Sequence, residues 1–375
     1  MISFLLSIAL LYALFTLTLW LAWLRIPTVF TTSTLADDLG PTMTVVIPVR
    51  NEAANIGALL DDLARQTYRR FEVIVADDQS TDATRDIVRE RALRTTYPLY
   101  LLSLTDERTA SPKKRAIGQS IARARGTLIV TTDGDCRVGP NWLAAIAHFY
   151  GQTNAKLIAG PVTFTDERTG FDSLQTVEFA SLIGTGAATL ALGRPTMCNG
   201  ANLCYERAVF AEVGGFAGVD HLASGDDELL MHKIAHRYPA GVRFLKSPDA
   251  IVLTGPHRRW RDFYNQRKRW ASKWRTYDSW GVSALAVFIF LSNAAPVLAL
   301  FGWWLGWIDG NRVLTVIGLK VIAEGLFLGA VLRFLRKAPA IAYIPLAQVL
   351  YPFYAVFFGL VAQGKDYHWK GRKLS

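Results

Sequence analysis

The chain has 375 residues, with 41 Lys and Arg against 31 Asp and Glu for a formal net charge of +10, and it is 51% hydrophobic but only 19% charged. That balance excludes general disorder, which goes with fewer apolar residues and more charge, and it falls short of the roughly 25% charge of an ordinary soluble enzyme. The missing charge should sit in long apolar stretches, so the chain reads as a membrane protein with a globular part.

Residues 1–24 carry no charge, and Arg25 follows at once. About 20 apolar residues cross a bilayer as a helix. The rival reading is a cleaved signal peptide. The length of the run, the positive charge after it and the lack of an A-x-A site before Arg25 favour a retained anchor over 1–25. Trp20 and Trp23 suit the headgroup interface.

Residues 41–255 change pattern. Met43–Val49, Phe71–Ala76, Leu99–Leu104 and Thr127–Thr132 read as buried strands, and 52–66, 82–95 and 113–125 between them have helical spacing of apolar residues. Such alternation predicts an α/β fold, a parallel sheet with helices on both faces. Ligands of such sheets collect at the carboxyl ends of the strands. After the first strand stand Arg50, Asn51 and Glu52; after the second, Asp77 and Asp78, with Asp82 beyond; after the fourth, Asp133, Gly134 and Asp135. Carboxylates at three strand ends repel one another unless a cation or ligand donors offset them. Helix capping accounts for Asp82. Asp133 and Asp135 suit a hard divalent cation and its phosphate oxygens, with capping the alternative.

Residues 257–275 hold eight Arg or Lys and one Asp, just before the next apolar run. Trp260, Phe263, Trp270 and Trp274 recur at helical spacing, which makes 256–280 a basic amphipathic helix suited to an anionic membrane surface. Nucleic-acid binding through phosphates is set aside. Three further apolar segments follow within 281–363: residues 281–307, 313–332 and 340–363. Lys320 and Glu324 stand four apart in the second of these and can pair. Pro345 and Pro352 kink the third. Arg333, Arg336 and Lys337 mark a cytoplasmic loop. This order places the basic tail, 364–375, outside, against the positive-inside rule unless the last segment stops short of crossing. Cys136, Cys198 and Cys204 form neither a disulfide framework nor a zinc site, which points to a reducing compartment and a cytosolic globular part.

The segments VVIPVRNE, VIVADDQSTD, PKKRAIG and TTDGDC, in this order and at these intervals, resemble family 2 glycosyltransferases of the GT-A fold. Ser224–Leu230 (SGDDELL) resembles that family's acidic catalytic motif, and Gln266–Trp270 (QRKRW) its membrane-bound Q-x-x-R-W signature. The resemblance covers 41–275. It implies that Asp77 or Asp78 contacts the nucleotide base, that Glu52 lies near the nucleoside, and that Lys113 approaches the nucleotide. Asp133 and Asp135 would bind the donor diphosphate through Mg²⁺ or Mn²⁺. Asp227, or its neighbour Asp226, would be the general base. Gln266, Arg269 and Trp270 would line the acceptor and diphosphate end. Gln79 stands where glycine is common, and Asp226–Asp227 where many relatives have Glu-Asp. The segment Cys198–Tyr205 resembles the family's acceptor side, where Gly200 and Asn202 either meet the acceptor or only shape a loop.

What the resemblance implies is an inverting, metal-dependent transfer of sugar from a nucleotide-diphospho-sugar, UDP-linked, to a lipid or lipid-linked glycan at the inner leaflet of a plasma membrane. A processive exopolysaccharide synthase and a membrane-tethered scaffold with a decayed transferase domain are the alternatives. A sugar-1-phosphate nucleotidyltransferase would carry a Gly-rich loop where Val49–Glu52 stands. The chemistry asks for one base on the acceptor hydroxyl and for cations on the leaving diphosphate, with no covalent nucleophile. Cys136, beside the acidic pair, reads as packing.

Overall fold

The computed structural model describes residues 2–31, 40–105, 111–222, 224–272, 280–361, 367–369 and 372–374. Lys273, Trp274 and Arg275 of the basic stretch, and Lys365 and Lys370 of the tail, lie outside the described residues. The chain divides into two compact units: an α/β unit of Ile26–Asp166, Thr185–Pro256 and His368–Ser375, and a helical unit of Met1–Arg25, Glu167–Gly184 and His257–Tyr367.

The first half of the α/β unit follows the expected alternation: β1 (Met43–Val49), α2 (Ile56–Ala64), β2 (Phe71–Asp77), α3 (Thr84–Ala92), β3 (Leu99–Ser103), α4 (Pro112–Arg123) and β4 (Leu128–Thr131), with α1 (Ile2–Arg25) preceding them in the helical unit. There follow α5 (Trp142–Thr153), β5 (Leu157–Ala159), β6 (Val162–Phe164), β7 (Leu203–Glu206), α7 (Arg207–Glu212), α8 (Glu228–Arg237), β8 (Val242–Phe244) and β9 (Val252–Thr254). Helix α6 (Gly170–Ala191) crosses from one unit to the other.

Val45, Val46, Ile47, Val73 and Val75 are fully buried, as strands covered on both faces must be. Helix α2 turns Ile56, Leu59, Leu60 and Leu63 inward at helical spacing, and α4 starts with Pro112, whose fixed φ suits a first helical turn. The seven-stranded sheet runs β3-β2-β1-β4-β7-β5-β8. The β3, β2, β1 and β4 strands are parallel, and β7 is antiparallel to both β4 and β5. Strand order reverses between β1 and β4, which makes their carboxyl ends the switch point where such sheets open a crevice. Glu52 and Asp133 both follow those ends.

The helical unit contains α1, residues 170–184 of α6, α9 (Trp260–Ser272), α10 (Trp280–Trp304), α11 (Gly310–Phe334) and α12 (Ile344–Val361). Three helices among the described residues are long and apolar enough to cross a membrane: Ile2–Arg25, Ala284–Trp304 and Gly310–Phe334. The described part of the last apolar segment is the 18-residue α12, with Pro352 inside it. Ala9, Ala295 and Ala299 pack with Leu5, Ile308, Val313 and Val316, small residues letting helices approach closely. Trp23, 1% exposed, packs edge-on against Phe334.

Lys320 and Glu324 pair as their spacing requires, at 2.6 Å. Lys320 also donates to Gln348 at 2.7 Å, and Glu324 accepts from Tyr12 and Gln348. One carboxylate thus links α1, α11 and α12. The aromatic stripe of α9 packs largely on protein: Phe263 is buried against Phe171, Tyr354 and Phe358, and Trp270 stacks on Phe179, while Trp260 stays exposed.

Candidate active site

The turns after β1 and β2 are built together. Asn51 and Gln79 both adopt left-handed backbone, with φ of 53° and 59°, a conformation that is costly for most side chains and that Asn tolerates best. Gln79 occupies the glycine-like position and anchors itself by donating to the Thr105 carbonyl at 3.0 Å. Asn51 receives the Thr81 N–H at 2.8 Å and donates its own to the Ser80 hydroxyl at 2.9 Å. Arg50 donates to the carbonyls of Asp78 and Gln79, at 2.6 and 3.0 Å, tying the two loops to each other.

Each strand-end carboxylate of the second motif meets a guanidinium. Asp77, fully buried, accepts from Arg85 at 2.6 Å and from the Ser80 N–H. Asp78 accepts from Arg115 at 2.8 Å. Neither arginine was singled out in the sequence, although Arg115 lies within PKKRAIG. The signal was there in its position, two residues beyond Lys113 in the same basic segment. The buried Glu52 receives the Asn55 amide at 2.9 Å, and its backbone N–H donates to Thr84 at 2.8 Å. Its side chain packs against Gly134, where an added Cβ would fall 3.0 Å from Glu52 Cγ and 2.8 Å from a Val49 methyl. The glycine between Asp133 and Asp135 is therefore required by close approach.

The acidic motif converges on the same edge. Lys113 Nζ lies 2.8 Å from Asp133 Oδ1 and 3.2 Å from Asp226 Oδ2, joining residues from α4, the turn after β4 and the turn before α8. Burial by itself would lower the pKa of Lys113. The Asp133 and Asp226 carboxylates outweigh that and raise it well above the ordinary lysine range. Asp227 caps α8: one oxygen accepts the Glu228 N–H at 2.7 Å, the other the Gly200 N–H at 3.0 Å. A Cβ on Gly200 would stand 3.1 Å from Asp226 Oδ2 and 3.4 Å from Lys113 Nζ. Gly200 is in turn held by Thr131, whose hydroxyl donates to its carbonyl at 2.7 Å. Lys114 pins the loop before the acidic motif through the carbonyls of Val219 and Leu222.

Gly200 and Asn202, paired in the sequence reading, separate here. Gly200 touches the acidic cluster. Asn202 is 2% exposed and its amide is consumed: its oxygen accepts from the Trp142 indole at 3.0 Å, and its NH₂ donates to the carbonyls of Pro161 and Ala250, both at 2.8 Å. It shapes the loop. Cys136 is 1% exposed, and burial, then the nearby Asp135 and Asp133, push its thiol well above the usual range, so it packs and does not react as a thiolate. None of the three cysteines is disulfide-bonded.

Among the described residues no three His, Cys, Asp or Glu side chains group to hold a metal. Asp133 and Asp135 can offer carboxylate oxygens from one loop, and Asp133 is 37% exposed. This donor set fits a Mg²⁺- or Mn²⁺-type cation that takes one or two protein carboxylates and completes its shell with substrate phosphates and water. It does not fit a closed, all-protein cage.

Gln266, Arg269 and Trp270 lie on α9 in the helical unit. Gln266 accepts a hydrogen bond from Arg267, and Trp270 stacks on Phe179 with ring centroids 6.2 Å apart. Arg267, the second residue of the pentapeptide, is the buried one, at 2% exposure. Reading of the sequence passed it over because the signature leaves that position open.

The profile of Glycosyl transferase family 2 matches residues 44–214. Glycosyltransferase AglE of Haloferax volcanii is 30% identical over 218 residues, 56% of this chain and 66% of that protein. Probable glycosyltransferase YdaM of Bacillus subtilis is 26% identical over 247 residues, 62% of this chain and 54% of that protein. The chain thus spans just under two thirds and about half of the length of these two curated relatives. Among solved structures, mannosyltransferase PcManGT from Pyrobaculum calidifontis, in complex with GDP-Man and Mn²⁺, aligns with a TM-score of 0.54 at 21% identity, over 93% of this chain and 99% of that one. The likeness is one of fold, a GT-A α/β architecture.

Proposed function

From the premise that this chain is a member of glycosyl transferase family 2 by its residues 44–214, we propose that it moves a sugar, with inversion, from a UDP-linked donor to a lipid or lipid-linked glycan. The observation that carries the reading is Lys113, which draws Asp133 of the strand-end pair and Asp226 of the acidic motif to one cation. Segments far apart in sequence thereby form one cluster at the carboxyl ends of the strands, where such folds bind ligands.

In this reading Asp227 takes the proton from the acceptor hydroxyl. The oxygen so exposed forms a bond to the anomeric carbon on the face opposite the donor diphosphate, and the C–O bond to that diphosphate breaks with its electron pair. Asp227 is suited to the task because two backbone N–H groups fix both its oxygens; Asp226 is the neighbouring alternative. Lys113 meets the charge developing on the leaving group, a contribution that is large in water-poor sites. Asp133 and Asp135 would hold Mg²⁺ or Mn²⁺, which supplies Lewis-acid stabilisation of the diphosphate when bound. Glu52, Asp77 and Asp78 frame the nucleoside side, the two aspartates with their arginines. Gln266, Arg269 and Trp270 serve the acceptor and diphosphate end, a role that rests on the signature they match.

The three long apolar helices support a multi-pass enzyme of the membrane. The positive loop at Arg333, Arg336 and Lys337 and the lack of a disulfide at Cys136, Cys198 and Cys204 favour a plasma membrane with the α/β unit in the cytosol. Exposed Arg261 of α9 and Arg259 just before it would meet anionic lipid.

The test is nucleotide release by the detergent-solubilised full chain from a panel of UDP-, GDP- and dTDP-sugars, with Mn²⁺ or Mg²⁺ and membrane lipid extract. One donor should be consumed, EDTA and Asp135→Ala should abolish release, and a labelled product should partition with lipid. A long polymer on one acceptor would make the protein a processive synthase. Silence across the panel, with no nucleotide-dependent thermal shift, would leave the scaffold reading standing. Turnover surviving in both Asp227→Asn and Asp226→Asn would remove the proposed base.

A further inference from the structure

Within α9, Phe263, Arg267 and Trp270 lie four and three residues apart and so share one helical face. The Arg267 guanidinium centre is 4.5 Å from the Phe263 ring centroid and 4.4 Å from that of Trp270. Its Nε reaches both oxygens of Glu178 on α6, at 2.8 and 3.0 Å, and one terminal nitrogen reaches the second of these oxygens at 2.6 Å. Glu178 also accepts from the Tyr354 hydroxyl of α12. The other terminal nitrogen donates to the Gln266 side-chain oxygen. A guanidinium has donors only, so it dictates which end of the Gln266 amide faces it. Phe179, next to Glu178, covers Trp270 with an interplanar angle of 17°.

We propose that Arg267, clamped by Glu178, is a positioning residue for glycosyl transfer: it fixes the amide orientation of Gln266 and the ring plane of Trp270. This rests on the reading of Gln266, Arg269 and Trp270 as the acceptor and diphosphate end. A single buried cation then sets two of the three signature side chains. Lysine cannot replace it, since an ammonium has neither the planar fork for a carboxylate and an amide together nor the flat faces for two rings.

The experiment uses the full chain in detergent, with Arg267→Lys and Glu178→Gln beside wild type. Monodispersity, thermal midpoint, donor and acceptor KM, and kcat are measured for each. We expect Arg267→Lys to keep its donor KM within about twofold and to lose about 10–100-fold in kcat, the size of loss that a small misplacement brings. Glu178→Gln should lose less, about 3–10-fold. In Arg267→Ala, added guanidinium ion should restore part of kcat while leaving wild type unchanged. A residue that only supports the fold would lower the thermal midpoint and leave kcat per folded molecule intact, and that result in both Arg267→Lys and Glu178→Gln would overturn the proposal. Glu178→Asp, which keeps the charge and shortens its reach, is judged by the same criterion where Arg267→Lys does not fold. Lack of turnover in wild type itself would instead bring down the glycosyltransferase reading, and this inference with it.

Discussion

Two of the protein's lysine–carboxylate clusters look alike on paper and differ in what surrounds them. Lys113 joins Asp133 and Asp226 at the carboxyl ends of the strands, and Asp133 keeps 37% of its side chain exposed. Lys320 joins Glu324 inside the helical unit, where Gln348 bonds to both and Tyr12 also donates to the carboxylate. In the first cluster Lys113 of α4 meets carboxylates from two separate turns, and Asp133 keeps part of its side chain exposed. The second is formed between helices whose other faces are apolar, so its members must satisfy one another. An ion pair among apolar helices is costly unless every donor and acceptor is matched. Charge chemistry alone therefore does not mark a site. Whether the carboxylates are closed off by their own protein does.

The largest expected effect separates the clusters directly. Lys113→Met should reduce turnover by about 100-fold or more, since it removes a cation from the leaving group and sets Asp133 against Asp226. Nucleotide release measured beside Lys320→Met should show no such loss per folded molecule in the latter. Equal losses in the two variants would end the distinction drawn here.

Stability should show the reverse pattern. Lys320→Met or Glu324→Leu alone leaves a buried polar group without its partner and should cost about 1–3 kcal/mol. The double variant should recover only part of that loss, because no lone charge remains but Gln348 and Tyr12 lose the partners they had. Thermal midpoints in one detergent would decide it, and a double variant worse than the sum of the singles would contradict the closed-network account.

The smallest effect concerns Cys136. Burial raises its thiol pKa, so it stays protonated where an exposed cysteine, at roughly 8.5, has begun to ionise. Native protein at pH 8.5 should not be alkylated at Cys136, whereas unfolded protein should be. The sign follows: above about pH 8.5 the unfolded state loses a proton that the folded state keeps, so stability falls as pH rises. Mapping of labelled peptides reads this out, and ready native labelling would show an open path beside Asp135.

The order of strands and helices from 43 to 131, the apolar helices and the Lys320–Glu324 pair were all legible in the sequence. Each depends on local periodicity: buried parallel strands are continuously apolar, helices repeat at three and four residues, and a four-residue spacing brings side chains together. The strand-end carboxylates were legible too, because a parallel sheet dictates where ligands gather. What the sequence left open were the partners. Arg85 and Arg115 reach Asp77 and Asp78, Gly200 offers its N–H to Asp227, Asn202 is spent on Trp142, Pro161 and Ala250, and Arg267 finds Glu178 eighty-nine residues away. Such contacts follow from how elements pack across the fold, and no periodicity encodes them. Residue type and spacing determined which charges this protein carries to its strand ends; only the packing of distant segments decided which neighbours each of them meets.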